Sequence, residues 1–195
     1  YKITKKLNFD LSKAKVLLIR NEPPFNQQYI NTTFILEHIA KKVKIINHPK
    51  AIREVPEKLF SIKLIKYMPS TLISEDISEI KDFFKKHKKV IVKPINGYSG
   101  NEVILLKTFN TKIINKYLKK HNHVIFQKFL PQISKGDRRV FIINGKIKGS
   151  ISRVPEKNSI LSNMSKGAIA QINKLTSKEI KISKEAAILL KKNNI

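Results

Sequence analysis

The sequence lacks cysteine entirely, so disulfide bonds and zinc sites built on thiolates are excluded. Long apolar runs are also missing, because no stretch approaches the roughly 20 residues that cross a bilayer. No signal peptide is visible either. We therefore expect a cytoplasmic protein that does not enter a membrane. An apolar content of 41%, arranged in periodic runs, predicts a packed core rather than a disordered chain.

Acidic residues are scarce: 14 Asp and Glu stand against 40 Lys and Arg, which leaves a net charge of +26. Such a charge ordinarily suggests a polyanionic partner such as nucleic acid. Only five of the basic residues are arginine, however, and arginine is favoured for bidentate contacts with bases and phosphates. The lysines are spread over nearly every segment. We therefore expect no nucleic acid partner, and a lysine-rich nucleic-acid-binding module remains the alternative from another class.

The most informative segment joins a short apolar run to a loop with two glycines. The β-branched run 90–92 predicts a buried strand, which ends in Lys93 and Pro94. The loop that follows contains Asn96, Gly97, Tyr98, Ser99 and Gly100. Glycines let backbone N–H groups converge on a phosphate, and Lys93 would neutralise charge on the same ligand. The order excludes a Walker P-loop, where the lysine follows the glycines. An ordinary hairpin turn with a solvated lysine is the alternative.

A strand, a helix and a second strand are predicted near the start of the chain. The run 15–20 predicts a buried strand, helical spacing of apolar residues predicts a helix over 29–42, and 43–46 predicts the next strand. This order is typical of a parallel α/β unit. Arg20 ends the first strand, at the edge of the sheet where ligands bind in open α/β folds. The alternative for Arg20 is a surface ion pair with Glu22.

Short elements are predicted on both sides of the glycine loop. Three helices are predicted: one over 56–66, one that begins after a cap at Ser74 and one that begins after a cap at Asn110. Three strands are predicted over 71–73, 103–106 and 124–126. The loop then joins two strands as a hairpin. Lys58 lies in the first turn of its helix, where the helix dipole disfavours a cation unless an anion compensates. A solvated lysine is the alternative there.

The last third of the chain predicts a hairpin, a long loop and a helix. Asn144-Gly145 is a strong two-residue turn signal, which predicts strands over 137–143 and 146–153. Residues 154–175 lack periodicity and predict a long loop, a kind of segment that is often functional. Thr176 and Glu179 predict a capping box at the start of the last helix.

Several motifs, in the same order along the chain, resemble the bacterial-type glutathione synthetase family of the ATP-grasp superfamily. The motifs are 20–25, 47–49 with 57–60, 92–94 with the glycine loop, 127–130, 136–140, and 153–155 ahead of Asn163. The resemblance implies an α/β (α+β) chain with the ATP-grasp fold. It further implies that residues 1–51 are the C-terminal part of a pre-ATP-grasp substrate domain, with the tail end of its parallel α/β fold. Residues 52–195 would be an ATP-grasp domain truncated before its magnesium-binding strands.

The resemblance also implies roles for individual residues, which share one nucleotide cleft. The residues expected to bind ATP are Lys58, Lys93, Asn96, Gly97, Tyr98, Ser99, Gly100, Gln127, Lys128, Phe129, Leu130, Asp137 and Arg139. Gln127–Leu130 would form the hinge that reads adenine through main-chain groups. The expected catalytic residues are Arg139, Arg153 and Asn163, and the expected substrate-binding residues are Arg20, Arg153, Asn163 and Gly167. A cross-strand ion pair on a solvated face is the alternative for Asp137 and Arg139, which alternate on one strand and share a face.

The implied reaction joins γ-glutamylcysteine and glycine into glutathione through an acyl phosphate, with release of ADP and phosphate. The segment 154–175 would act as a lid that excludes water. The Mg²⁺ ligands are expected beyond Ile195, and no metal ligand is expected within this chain. We therefore expect a fragment that binds nucleotide poorly and is inactive by itself. The complete protein is expected to be a homo-oligomer. Tyr98-Ser99 and Lys166-Gly167-Ala168 depart from the family's glycine-rich pattern, and another ATP-grasp ligase, of the glutamate or D-alanine type, is the closest alternative.

Overall fold

The computed structural model describes residues 5–195, and within them the chain forms two compact units. One unit ends at Pro56 and also includes Leu190–Ile195, and the other comprises Glu57–Leu189. In the described part of the chain, no helix is both long and apolar enough to cross a membrane. The domain assignment made from the sequence, with its boundary after residue 51, stays a prediction.

The first unit is a small parallel α/β piece, as its sequence predicts. It contains β1 (Val16–Leu18), α1 (Gln27–Glu37), β2 (Lys44–Ile46) and α2 (Pro49–Glu54). β1 and β2 pair in parallel, with Leu17 opposite Ile45. The predicted helix over 29–42 is wrong at both ends. The Asn26 side chain caps α1 three residues earlier by accepting a hydrogen bond from Tyr29 N–H at 3.0 Å, and regular helix ends at Glu37.

The second unit begins with a helix that the sequence predicts as continuous over 56–66. The structure instead divides it into α3 (Glu57–Phe60) and a 3₁₀ segment (Ser61–Tyr67). A second break lies within the 3₁₀ segment, where the backbone angles of Leu64 are not helical. The break leaves Lys58 in a single helical turn.

A four-stranded antiparallel sheet forms the middle of this unit. Its elements in chain order are β3 (Thr71–Ile73), α4 (Ile77–His87), β4 (Val90–Pro94), β5 (Ile104–Leu106), α5 (Thr111–His121) and β6 (Val124–Lys128). The strands are ordered β3-β6-β4-β5. The predicted hairpin across the glycine loop and the predicted cap at Asn110 are confirmed. The cap of α4 is Asp76 rather than Ser74, because the Asp76 carboxylate accepts hydrogen bonds from the first-turn N–H groups of Ser78 and Glu79.

The hydrophobic core lies on one face of this sheet, beneath α4 and α5. Its fully buried side chains include Ile80, Val90, Val92, Ile114 and Phe126. Because side chains alternate along a strand, burial of Val90 and Val92 leaves Ile91 and Lys93 on the other face. The core therefore determines which face of β4 carries the lysine.

A three-stranded antiparallel sheet follows, with β7 (Asp137–Ile143), β8 (Lys146–Val154) and β9 (Ile169–Ile172), before α6 (Ser177–Lys191). The predicted hairpin and capping box are confirmed, and Thr176 N–H donates to Glu179 Oε2 at 2.7 Å. The prediction of a structureless loop over 154–175 is wrong at its end. Residues 169–172 pair with β8, and their four side chains are all exposed, so they carry no burial signal in the sequence.

Candidate active site

A cavity of about 330 Å³ opens on the face of the four-stranded sheet that is opposite the core. Ile91, Lys93 and Gln127 line it from the sheet, and α3, the glycine loop, the hinge after β6 and the segment 160–163 supply its other walls. All of these elements belong to the second unit. The residues combine cations, backbone amides and apolar side chains, which is the composition expected of a pocket for a charged organic ligand.

Lys93 is a half-buried cation of the cavity, and a chain of hydrogen bonds holds it. Its Nζ donates to Gln127 Oε1 at 3.0 Å, and Gln127 Nε2 donates to Thr71 Oγ1 at 2.8 Å. The Thr71 hydroxyl donates in turn to Pro69 O at 2.8 Å. Burial lowers the pKa of Lys93 from its usual value, and the neighbouring positive charge of Lys58 lowers it further. The ammonium would therefore gain from an anion in the cavity.

Lys58 approaches the same cavity from α3. Its Nζ donates a hydrogen bond to the carbonyl oxygen of Gly97, 39 residues away in the chain. Glu57 also lines the cavity and partly offsets the effect of Lys58 on the pKa of Lys93. Two ammonium groups thus share one crevice. Like charges at close range are unfavourable unless an anion lies between them, so this pair favours a phosphate or carboxylate ligand.

The glycine loop offers backbone donors to the cavity. Tyr98, Ser99 and Gly100 line it, and within residues 5–195 their amide N–H groups make no hydrogen bond. Gly100 has φ +72°, and a Cβ atom there would lie 2.6 Å from Asn163 Oδ1. A side chain at position 100 would therefore be strained and would collide with the opposite wall. Three free amides beside two ammonium groups form a suitable cradle for phosphate oxygens.

The end of β6, with Gln127 and Lys128, and the hinge residues after it, Phe129 and Leu130, line the cavity. Lys128 N–H donates to Ser70 O at 2.9 Å, and Phe129 N–H donates to Lys89 O at 3.1 Å. The Leu130 N–H has no hydrogen-bond partner in the described part of the chain. Leu130 is therefore the hinge residue whose amide can read the edge of a base.

Asp137 lines the cavity, and it forms a cross-strand ion pair with Arg153 of β8. Arg153 Nε donates to Asp137 Oδ1 at 2.9 Å, and Arg153 Nη2 donates to Oδ2. The hydrogen bond with Asp137 raises the pKa of Arg153. The cross-strand ion pair considered as the alternative for Asp137 is thus present, although its partner is Arg153 and not Arg139.

Not every residue expected at the site is brought to the cavity. Asn163 lines it, whereas Asn96, Arg139, Arg153 and Gly167 are not among its lining residues. Arg139 is exposed on β7, where strand alternation puts it on the same face as Asp137, and the expectation that both point into the cleft stays a prediction. Arg20 is an exposed residue of the first unit. The roles assigned to all of these residues stay predictions.

Other lining residues were missed by the sequence analysis. Strand alternation could have identified Ile91 and Val103. Ile91 lies between core positions of β4, and Val103 directly precedes β5, whose side chains pack against the core. Ile160, Leu161 and Ser162 carry no such signal, since they lie in irregular backbone. The Ser162 hydroxyl is buried and has no hydrogen-bond partner in residues 5–195.

A magnesium site is not evident in the described residues. No group of three or more His, Asp or Glu side chains in residues 5–195 is arranged to hold a metal ion. The carboxylates that line the cavity in this part of the chain belong to Glu57 and Asp137, and Asp137 is already paired with Arg153. Since Mg²⁺ prefers several oxygen ligands, these residues do not fit a complete site. The expected position of the Mg²⁺ ligands beyond Ile195 stays a prediction.

Comparison with known proteins agrees with this geometry. The family model for the ATP-grasp domain of prokaryotic glutathione synthetase matches residues 57–195, and the model for the N-terminal domain of the same family matches residues 1–53. The glutathione synthetase of Bradyrhizobium diazoefficiens is 36% identical over 176 residues, which cover 88% of this chain and 56% of that protein. The glutathione synthetase of Buchnera aphidicola subsp. Schizaphis graminum is 31% identical over 203 residues, which cover 100% of this chain and 63% of that protein.

The chain therefore spans about three fifths of the length of these curated relatives. Among solved structures, D-cycloserine synthetase DcsG has a TM-score of 0.69 at 14% identity, over 98% of this chain and 70% of that one. At that identity the likeness shows the ATP-grasp fold alone. Both domain models, and the relatives that match across their junction, show that this chain belongs to the prokaryotic glutathione synthetase family.

Proposed function

We propose that the chain carries the nucleotide-binding centre of an ATP-dependent ligase that joins γ-glutamylcysteine to glycine and makes glutathione. The observation that carries the proposal is the approach of Lys58 and Lys93 to one cavity that the glycine loop borders. Family membership supplies the reaction, because its members are named glutathione synthetases. The activity and substrates of the whole protein belong to this proposal.

ATP is the proposed occupant of the cavity. Its terminal phosphates would lie between the Lys58 and Lys93 ammonium groups and accept hydrogen bonds from the free amides of the glycine loop. Its adenine would lie at the hinge, where Leu130 N–H offers a donor and Phe129 and Ile91 offer apolar surface. These groups have the positive charge, the donors and the apolar surface that the phosphates and the ring of the nucleotide require.

The proposed reaction has two steps, and neither uses a side-chain nucleophile. A carboxylate oxygen of γ-glutamylcysteine attacks the γ-phosphorus, the bond to the ADP oxygen breaks, and an acyl phosphate forms. The glycine nitrogen then attacks the acyl carbon, phosphate leaves, and the nitrogen loses a proton to give the amide. Lys58 and Lys93 would act by positioning the phosphates and neutralising their charge. We propose that Mg²⁺ assists this neutralisation, with ligands outside the described residues.

The substrate end of the site is proposed from the family resemblance. Asn163 lines the cavity next to Gly100, so it is well placed to contact a group that is transferred from the phosphates. Arg153 would take part through its neighbour Asp137, which lines the cavity and holds its guanidinium. Roles for Arg20, Arg139 and Gly167 in substrate binding or catalysis belong to the same proposal.

Binding of ADP to the chain tests the nucleotide site. Isothermal titration would compare the wild type with Lys58→Met and Lys93→Met, and with Lys116→Met, which removes an exposed lysine of α5 as a control. We expect weak binding by the wild type, a loss of about tenfold or more in each site variant, and no change in the control. Equal effects of all three substitutions would contradict the proposed site. Salt-sensitive binding of duplex DNA without an effect of ADP would favour the lysine-rich nucleic-acid-binding alternative.

The substrates are tested with the complete gene product. Release of ADP that depends on both γ-glutamylcysteine and glycine is the expected result. Release with glutamate or D-alanine as the acceptor, and not with glycine, would overturn the assignment in favour of another ATP-grasp ligase. The proposal also includes a homo-oligomer in the cytoplasm, and light scattering after size exclusion measures that assembly.

A further inference from the structure

We propose that Thr71 is a positioning residue for Lys93, and that it acts by fixing the orientation of the Gln127 carboxamide. This inference rests on the proposed function, in which the Lys93 ammonium binds a nucleotide phosphate. Thr71 is not among the residues that line the 330 Å³ cavity, but it lines an adjoining cavity of about 290 Å³ together with Lys58, Lys93 and Gln127. Because the phosphates are proposed to lie in the first cavity, Thr71 would influence them through Gln127 and Lys93.

The relay crosses three neighbouring strands on the cavity face of the sheet. β6 lies between β4 and β3, and Thr71 is directly opposite Gln127 in the β3–β6 register. On the other side, Gln127 is opposite Ile91, so Lys93 reaches it diagonally along β4. The hydrogen bonds of 3.0 Å from Lys93, 2.8 Å from Gln127 and 2.8 Å from Thr71 follow this path to the carbonyl oxygen of Pro69.

Elementary hydrogen-bond chemistry fixes the direction of the relay at both of its ends. An ammonium group can only donate, so the Gln127 atom that faces Lys93 must be the carbonyl oxygen. A backbone carbonyl can only accept, so the Thr71 hydroxyl gives its proton to Pro69 and keeps a lone pair for Gln127 Nε2. The threonine hydroxyl thereby selects one of the two orientations of the carboxamide. Rotation by half a turn would place the Gln127 NH₂ group against the ammonium.

The charges around Lys93 explain why this selection has an effect. Glu57 and Lys58 of α3 act on its ionisation in opposite directions, and Lys128 and Asp137 line the same cavity. No salt bridge to Lys93 is present in the described part of the chain. Burial already lowers the pKa of Lys93, so the neutral Gln127 oxygen is an important acceptor for the charged form. Loss of that acceptor would lower the pKa further and release the side chain.

The test compares Thr71→Val, which has nearly the same shape, with Thr71→Ser, which keeps the hydroxyl, and Gln127→Glu. Matched controls are Thr108→Val and Gln132→Glu, at exposed positions of the same unit. Two quantities are measured: the dissociation constant of ADP from pH 6 to 10, and the ionisation of Lys93 by nitrogen NMR of its ammonium group. The Lys93 resonance is assigned from its absence in Lys93→Met.

For Thr71→Val we expect about tenfold weaker ADP binding near neutral pH, since a hydrogen bond to a charged group is lost. The loss of ADP affinity at alkaline pH should move to lower pH, because Lys93 loses its proton earlier. Thr71→Ser should restore both values to within about twofold of the wild type. Gln127→Glu should move the ionisation of Lys93 to higher pH, because a carboxylate favours the ammonium. Opposite shifts in these two variants would not result from general damage to the sheet.

The relay is overturned if Thr71→Val and Thr108→Val give the same Lys93 ionisation as the wild type. It is also overturned if Thr71→Ser fails to restore that ionisation while the circular dichroism spectrum remains that of the wild type. The NMR measurement needs no nucleotide. If Thr71→Val is poorly folded, Thr71→Ala, which also removes the hydroxyl, takes its place, and an unchanged Lys93 ionisation in a folded Thr71→Ala overturns the relay. Failure of the wild type to bind ADP, together with the expected NMR shifts, would reject the proposed function and retain the relay.

Discussion

Replacement of Gly100 by alanine should damage the nucleotide site in a measurable way. Gly100 has φ +72°, a backbone conformation that costs an L-residue about 1 kcal/mol or more. The new Cβ would also lie 2.6 Å from Asn163 Oδ1 and 3.3 Å from Leu161 Cδ2. The first distance is too short for a real contact, so the Asn163 side chain must turn away or the glycine loop must move.

The two effects together should cost about 1–2 kcal/mol, because part of the clash is relieved by movement of the exposed loop. If ADP binds the unstrained loop, the same free energy appears as about 5- to 30-fold weaker binding. Isothermal titration with ADP measures this change. Thermal unfolding followed by circular dichroism should show a midpoint lower by roughly 2–6 °C, given a chain of this size.

Gly149→Ala is the matched control for this prediction. Gly149 lies in β8, does not have a positive φ, and has no atom within 4 Å of the position of a Cβ. We expect its ADP affinity to stay within about twofold of the wild type. The reasoning is refuted if Gly100→Ala and Gly149→Ala behave alike. A lower unfolding midpoint for Gly100→Ala without weaker ADP binding would show that the glycine serves the fold but not the site.

Three further predictions concern the ion pair, the last helix and the half-buried Tyr117. Asp137→Asn leaves the Arg153 guanidinium, whose side chain is 14% exposed, without a carboxylate, and should lower the free energy of unfolding by about 1.5–3 kcal/mol in urea denaturation. Glu179→Gln should cost about 1 kcal/mol at pH 7, because the Thr176 backbone N–H lowers the pKa of Glu179. That stability is present above the unfolded pKa near 4.5 and is lost as the pH falls through the lower folded value, so the variant and the wild type should converge in acid. Burial raises the pKa of Tyr117 to about 12, so the free energy of unfolding should fall between pH 10 and 12. In a titration followed by absorbance at about 295 nm, Tyr117→Phe should remove the component that titrates last.

Each of these predictions has a contradicting outcome. Equal losses in Asp137→Asn and in Asp82→Asn, which removes an exposed carboxylate of α4, would show that the cross-strand pair contributes nothing particular. A difference between Glu179→Gln and the wild type that persists unchanged in acid would rule out the ionised carboxylate as its cause. Tyrosine titration that ends near pH 10 in the wild type would show that burial does not raise the pKa of the Tyr117 phenol.

The local elements of this chain follow from its sequence because each depends on residues only a few positions apart. The cap at Asn110 and the capping box of Thr176 and Glu179 are contacts across three residues. The hairpin of β7 and β8 follows from the Asn144-Gly145 turn, which sets the pairing of Ile143 with Lys146. A shift in register between Phe141 and Ile142 then displaces the pairing farther from the turn, and no short pattern predicts that shift. The order of residues in the glycine loop after Lys93 predicts a phosphate site, and that assignment stays a prediction. The family could also be predicted from the sequence, because the motifs of the family keep their order along the chain.

The contacts that make a site of these elements depended on the tertiary structure. Lys58 reaches Gly97 across 39 residues, and Thr71 reaches Gln127 across 56. Strand pairing decides that Asp137 lies next to Arg153. Burial of one face of β4 in the core decides which side chains of that strand face the cavity. β9 pairs with β8 and has four exposed side chains, so its residues carry no periodic signal of burial. The sequence by itself determined the local elements and the family, whereas long-range pairing and burial decided which side chains meet, because those free energies arise between segments that no short pattern connects.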